Sequence, residues 1–481
     1  MSARVQTITP ASRPAPRRFS AREFLVEDVR QEARSLRGAG PPGDLAFDLR
    51  RSLDMNSEQL LRILLDLHRR HGPVFETRML HHRMTFLVGA PATAYALLEH
   101  PEQFHWREGH FGQLAPLLGD GLITTDEAYH DRARRLIMPA FHRGQIDAAV
   151  TIMAEEADAR CAAWLPGETV DVYRWTRETS LRIALRALLG VNPDDHDGGA
   201  AIAVHFERAL QFYGIDLYSR LLRGPGTPWA HMRAARERLD AFVHAAISQR
   251  REEGVGDRTD VLSGLLRASA ESPDGLSDEE IRDQLVTLLF AGHDTSSSTV
   301  AFVLYELARR PDLRDRLRKE QEHVLQGELP RAEHVDGKAL GELERAIDET
   351  LRRYSPVFIG ARRAMGDIEV EGVPIRRGSY VHVAYWATHH LEELFADPHA
   401  FHPDRWTPEM RAALPRGAYT PFGGGSRICV GKRFGLTTVR TILTSLLRRH
   451  DISALGSFDL HLQLEPTLSP RDGLPVCVTP R

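Results

Sequence analysis

Apolar positions recur every three to four residues through most of the chain, a period that argues for helix. Residues 58–71 carry Leu60, Leu61, Ile63, Leu64 and Leu67 on one side and stop at Gly72-Pro73, which predicts a helix with an abrupt end. Val74–Arg78 and Met84–Val88 are short apolar runs on either side of the polar Leu80-His81-His82-Arg83, the pattern of a hairpin. From about 92 to 325, Leu and Ala dominate while Gly and Pro keep to loops, so nearly all of it reads as helix. Ser277 with Glu280 forms a capping box opening a long helix over 278–309, and Pro311 stands in the first turn of the next helix. The helical period returns over 338–354 and ends at Ser355-Pro356. Alternation of Ile368, Val370, Val373, Ile375, Val381 and Val383 predicts strands within 357–385. A stretch punctuated by Pro398, Pro403, Pro408 and Pro415 follows, then a glycine-rich loop, a helix over 432–449 and a strand-like ending at Val476-Cys477-Val478. The expectation is a mostly α, single large domain over residues 46–481 with small β-sheets near its two ends, behind a flexible tail of residues 1–45.

Composition narrows the function classes. The 481 residues are 27% charged and 42% hydrophobic, as in a soluble globular protein. With 62 basic and 66 acidic residues the net charge is -4, which argues against a nucleic-acid-wrapping role. Only Cys161, Cys429 and Cys477 occur, so no disulfide framework is expected, and a reducing, cytoplasmic setting fits. No run approaches the roughly 18 apolar residues of a membrane span, and the start lacks the apolar region of a secretory signal. Pro10, Pro14 and Pro16 would break the amphipathic helix of a transit peptide.

The segment richest in chemistry is Phe422-Gly423-Gly424-Gly425-Ser426-Arg427-Ile428-Cys429-Val430-Gly431. A lone cysteine in a glycine-rich loop just before a helix has its thiolate favoured by backbone N–H groups and the helix dipole. Gly425 and Gly431 let the backbone pass close to a flat ligand, and Phe422 can pack beside the sulfur. For a single cysteine, plain burial in a loop is the commoner case; the ten-residue pattern overturns it. It resembles the cysteine-ligand loop of the cytochrome P450 family, F-x-x-G-x-R-x-C-x-G, at every specified position.

Other motifs of that family stand upstream in its order. Glu349-Thr350-Leu351-Arg352 resembles the family's E-x-x-R, and Pro403-Asp404-Arg405-Trp406 its P-x-R-W; Glu349, Arg352 and Arg405 would form a structural network. Ala291-Gly292-His293-Asp294-Thr295 is similar to A-G-x-[D/E]-T, where Gly292 would leave room for dioxygen and Asp294 and Thr295 would be the catalytic proton relay. His293 occupies the open position and reads as a spacer. His130 and Arg134 share a helix face and resemble the family's W/H-x-x-x-R; with Arg362 and Arg427 they would hold the propionates. Ala291, Phe422, Gly423 and Gly431 would line the cofactor.

The resemblance implies haem b with Cys429 as the iron ligand, and oxygen insertion into a C–H bond of an apolar small molecule such as a terpenoid, fatty acid, steroid or polyketide. It also implies electrons from NAD(P)H through a separate ferredoxin or flavodoxin and its reductase, since no reductase domain follows the terminal strands, and a monomer. Lys432 and Arg433, with Arg427, could dock an acidic carrier or be partly buried against the propionates. Thr287, Phe290, Ala291, Val357 and Phe358 are the expected substrate-lining residues, capped by Phe104, Trp106, Phe111, Phe206, Phe212 and Tyr213. A haem-thiolate isomerase or dehydratase and a non-catalytic haem ligand-binding protein are the rival classes. His389, His390, His399 and His402 cluster in sequence, but their spacing fits no common zinc pattern.

Overall fold

Helices account for most of the computed structural model, which describes residues 29, 40–45, 57–79, 82–194, 199–214, 219–220, 222–456 and 458–481. Most of the expected tail and the hairpin turn at 80–81 lie outside the described residues. The major helices are α1 (Gln59–His71), α2 (Glu127–Ile137), α3 (Arg143–Ala162), α4 (Val172–Ala184), α5 (Gly199–Gly214) and α6 (Pro228–Glu253). They continue with α7 (Val261–Glu271), α8 (Asp278–Arg309), α9 (Pro311–Leu325), α10 (Gly341–Arg353) and α11 (Lys432–Arg449). The boundaries follow local chemistry. At the start of α8 the Ser277 side chain accepts from the Glu280 N–H while Glu280 accepts from the Ser277 N–H. Pro311 then opens α9, where its missing N–H costs nothing.

The strands do not sort by chain end as the sequence reading implied. β1 (Gly43–Asp44), β2 (Val74–Met79), β3 (His82–Leu87) and β4 (Phe104–His105) join β6 (Gly360–Ala364) and β9 (Tyr380–Val383) in one sheet of order β1-β2-β3-β9-β6-β4. β3 runs parallel to β9, with Phe86 opposite His382, so segments far apart in sequence meet edge to edge. A second sheet places β13 (Pro475–Pro480) between β10 (His450–Ala454) and β5 (Thr169–Asp171). Ile368–Val370 pairs with Val373–Ile375, and Leu462–Gln463 with Ser469–Pro470, as small ribbons.

α8 runs through the middle of the helical body. Its first half (Ile281, Leu285, Val286, Leu288, Leu289) packs into one apolar cluster with α2, α4, α5, α6 and α7. Its last turns (Val300, Ala301, Val303, Leu304, Leu307) pack into another with α3, α10, α11 and the terminal sheet. Each such side chain contributes about 1.5–3 kcal/mol on burial. The two clusters fix both ends of the helix and leave its polar waist, near residues 290–295, to a different purpose. No helix among the described residues is long and apolar enough to cross a membrane.

Candidate active site

Between Thr420 and α11 the chain folds into a tight loop that presents Cys429. Gly423 and Gly425 have φ of +69° and +59°, which a side chain would strain. A Cβ on Gly425 would also lie 2.2 Å from the Leu97 carbonyl oxygen, so this loop sits against residues 95–99 with no room to spare. The Cys429 N–H closes the loop by donating to the Phe422 carbonyl (3.0 Å). Burial pushes the Cys429 thiol up, opposed by the N–H groups of Gly431 and Lys432 and the charges of Arg134 and Lys432. Although deep among protein atoms, the side chain is reached by a solvent-sized probe. The two observations agree if the sulfur faces an internal space. A Cβ on Gly431 would stand 3.9 Å from the sulfur, in ordinary van der Waals contact with it.

Cations converge beside that loop. Arg427 turns inward, donating to the carbonyls of Thr125 (2.9 Å) and Leu122 (3.3 Å) and to the Asp126 carboxylate. Asp126 also accepts from the N–H groups of Trp106 (3.0 Å) and Arg107 (3.0 Å). Arg362, on β6, is buried with neutral hydrogen-bond partners, the Ala361 carbonyl (2.9 Å) and the Tyr385 hydroxyl (3.4 Å). Burial lowers the pKa of Arg362 and of Arg134, and brings Arg427 down to about 10. His130, buried on α2 and held by Asp131 at 3.0 Å, is likewise lowered to about 4, by burial and by the Arg427 charge. Arg362, Arg427 and Arg134 outnumber the carboxylates that act on them, buried Asp126 and exposed Asp131, and make a setting for an anion with two carboxylates. His105 and Glu108 approach Asp126 closely enough to suggest a cation site, but both Asp126 oxygens are already engaged by these three donors, with the Trp106 N–H shared between them.

The waist of α8 borders the same region. Val430 and Phe434, flanking the cysteine, pack in the same cluster as Phe290. Residues 281–289 and 296–304 are buried apart from none of their number, whereas Phe290, Ala291, Gly292 and Thr295 are only partly covered. Gly292 has nothing within 4 Å of the position its Cβ would take, and a methyl group there would enter open space. Thr295 donates its hydroxyl to the Ala291 carbonyl (2.7 Å). Asp294, the preceding residue of the helix, is buried, 3.2 Å from His293 Nδ1 and 3.4 Å from Arg177 Nη1.

Among the remaining expected residues, Glu349 and Arg352 on α10 meet Arg405. Arg352 donates twice to the Glu349 carboxylate (3.0 and 2.8 Å) and once to the His389 carbonyl (2.8 Å). Arg405 Nε (3.1 Å), Trp406 Nε1 (2.9 Å) and the His402 N–H (3.0 Å) complete the shell around Glu349. Thr287 is not at the open waist: its hydroxyl takes the place a Cβ on Gly121 would fill. Phe206 meets the edge of the His293 ring at 5.6 Å, Phe212 packs on Trp229, and Tyr213 donates to the Gln113 carbonyl. Phe104 is in the sheet core, and Trp106 stacks on Phe111 at 4.8 Å. Val357 is exposed and Phe358 packs against the cluster around α1. His389 is buried and neutral, accepting from the Thr420 N–H (3.1 Å), and His390 stacks on Trp386, so both serve packing.

Sequence reasoning missed Asp126, Arg177, Glu207 and the part His293 plays. Their partners lie far away along the chain, and no local spacing announces them.

A cysteine loop at a helix N-terminus, arginines gathered beside it and a long helix left partly uncovered at Phe290, Ala291, Gly292 and Thr295 make the setting of a haem-binding oxidoreductase. The chain belongs to the cytochrome P450 family, whose pattern, described as Cytochrome P450, matches residues 46–474. It is 32% identical over 383 residues to the cyclooctatin synthase of Streptomyces melanosporofaciens, covering 79% of this chain and 83% of the relative. It is also 32% identical over 387 residues to the cyclooctat-9-en-7-ol 5-monooxygenase of the same organism, covering 79% and 82%. Among solved structures, the retinoic acid-bound cyanobacterial CYP120A1 matches with a TM-score of 0.82 at 26% identity, over 92% of this chain and 99% of that one. A cytochrome P450DA heme domain matches with a TM-score of 0.81 at 25% identity, over 92% and 97%.

Proposed function

We propose that this protein hydroxylates an apolar small molecule, of the terpenoid, fatty acid, steroid or polyketide kind, using dioxygen and electrons delivered by a separate ferredoxin or flavodoxin and its reductase. Haem b bound through the Cys429 sulfur would supply the activation of dioxygen and its insertion into the C–H bond. His130, Arg134, Arg362 and Arg427 would hold its carboxylates, and Phe422, Gly423, Gly431 and Ala291 would line it. Phe290, Ala291 and Gly292 leave space for substrate at the waist of α8. Thr295 presents a hydroxyl there, and Asp294 beside it is the proton source. Lys432 and Arg433 are exposed next to the cysteine loop, whereas Arg427 is turned inward. That leaves the first two as the positive surface for an acidic electron carrier.

The observation that carries this reading is the burial pattern of α8: between Ile281 and Leu304 only Phe290, Ala291, Gly292 and Thr295 are partly covered, in the stretch where Phe290 shares an apolar cluster with Val430 and Phe434. Relatives named for cyclooctatin and cyclooctat-9-en-7-ol, and a structural neighbour with retinoic acid bound, support an apolar substrate. The test is the reduced, carbon monoxide-bound absorption spectrum of the purified protein, followed by a screen of hydrophobic compounds for spin-state shifts. A thiolate-type red-shifted band that Cys429→His abolishes is expected; the same band in the variant would refute the ligand assignment.

A further inference from the structure

Four charged side chains form a closed group at the waist of α8, around Asp294. His293 is fully buried between two carboxylates: its Nδ1 is 3.2 Å from Asp294 Oδ1, and its Nε2 is 3.2 Å from Glu207 Oε1 on α5. Nε2 also lies 3.1 Å from the Arg177 carbonyl oxygen on α4. Arg177 closes the ring, pairing with Glu207 and reaching Asp294 Oδ1 at 3.4 Å. Tyr173 faces the group from α4, its hydroxyl 3.4 Å from Arg177. Phe206 seals it edge-on, 5.6 Å from the His293 ring. Only Glu207 and Arg177 reach the surface, each with about a quarter of the side chain exposed (29% and 20%).

We propose that His293 is a positioning residue for Asp294, a charged link that ties the acid of the long helix to Glu207 and so makes proton supply at Thr295 depend on the seating of α5. The proposal rests on the reading of Asp294 given above. Two carboxylates flanking one ring, Asp294 buried and Glu207 part-buried, are stabilised by cations placed between them, and Arg177 supplies one. The imidazolium supplies the other: burial alone would depress the His293 pKa, but Asp294 and Glu207 reverse this and raise it. Asp294 and Glu207 are in turn held ionised, against the effect of burial, by His293 and Arg177. A shift of α5 that withdraws Glu207 therefore removes one of the two acceptors that keep His293 charged, and with it the charged partner that fixes the position of Asp294.

The test compares the holoenzyme with Glu207→Gln and His293→Gln. In the ferrous, carbon monoxide-bound form, nitrogen resonances of labelled histidine are expected to show His293 charged at about pH 8 in the parent and neutral in Glu207→Gln. With any substrate that shifts the spin state, product formed per reductant consumed is expected to fall about 3- to 10-fold in both variants, with a flattened pH profile and an unchanged carbon monoxide band. A His293 ring titrating near its ordinary value of about 6.5, or an unaltered yield and pH profile in Glu207→Gln, overturns the proposal. Absence of a thiolate-type band in the parent would defeat the haem reading instead, while the histidine resonances would still report on the link.

Discussion

Arg362 lies with its guanidinium 3.7 Å from the centre of the Trp106 ring, and the same ring has Arg427 on it at 5.4 Å. One indole thus serves a buried cation and a part-buried one, and of the two only Arg427 pairs with a carboxylate. A cation–π contact contributes about 0.5–2 kcal/mol, well short of the several kcal/mol that desolvating a guanidinium costs.

Replacing Arg362 by Met, which keeps the length and drops the charge, is therefore expected to change the stability of the haem-free protein by less than about 1 kcal/mol. The haem-loaded protein should release haem about ten times faster, because a charge-assisted bond to a propionate is lost. Denaturant unfolding of the apoprotein and transfer of haem to excess apomyoglobin measure the two quantities. A large loss of apoprotein stability would show that Arg362 is a structural residue.

Glu349 offers the opposite case. Its carboxylate takes five hydrogen bonds, from Arg352 twice, Arg405, Trp406 and the His402 N–H. Glu349→Gln keeps the shape but leaves Arg352 buried without a counter-charge, which is expected to cost about 3–5 kcal/mol. Equilibrium unfolding in urea reads this directly, and the effect should be present with or without haem.

Thr295→Ala tests a residue whose hydroxyl is bonded only to its own helix. Alanine is a better helix former, so stability should stay within about 1 kcal/mol. Product per reductant consumed should nevertheless drop several-fold, with electrons appearing as peroxide or water. Unaltered coupling would remove Thr295 from the proton path.

Much of this was legible in the chain. The Ser277–Glu280 capping box and Pro311 bracket α8 at 278–309, and the glycine-rich loop ends where α11 begins at Lys432, because these boundaries depend on residues three or four apart. What stayed hidden depends on distant partners. The pairing of Phe86 with His382 follows from packing two sheet segments together, and no local pattern encodes it. Thr287 shares a face with Ala291 and Thr295 at helical spacing, yet Gly121 closes over it. His293 looked like a spacer because Glu207 and Arg177 come from two other helices.

The His293 link has a pH signature whose sign follows from its raised pKa. The folded value is about 9, against about 6.5 in the unfolded chain. The stabilisation it gives is thus fully present below about pH 6.5 and lost as the pH rises through about 9. Its size is on the order of 3 kcal/mol. The parent should lose more stability than His293→Gln between about pH 6.5 and 9, as read from unfolding curves at matched ionic strength. Parallel curves would mean that His293 is neutral.

Gly292 and Gly425 respond oppositely to the same methyl group. At Gly425 a Cβ would meet the Leu97 carbonyl oxygen at 2.2 Å with φ at +59°, so Gly425→Ala is expected to destabilise by more than about 3 kcal/mol. At Gly292 nothing lies within 4 Å, and the position is in mid-helix. There, alanine should stabilise the fold by about 1 kcal/mol through helix propensity alone. The methyl group would project into the open waist beside Thr295, so substrate turnover should fall as the melting temperature rises. Thermal unfolding and turnover of the two variants separate the cases: if Gly292→Ala destabilises the protein, that side of α8 is closed, and the waist is not where substrate binds.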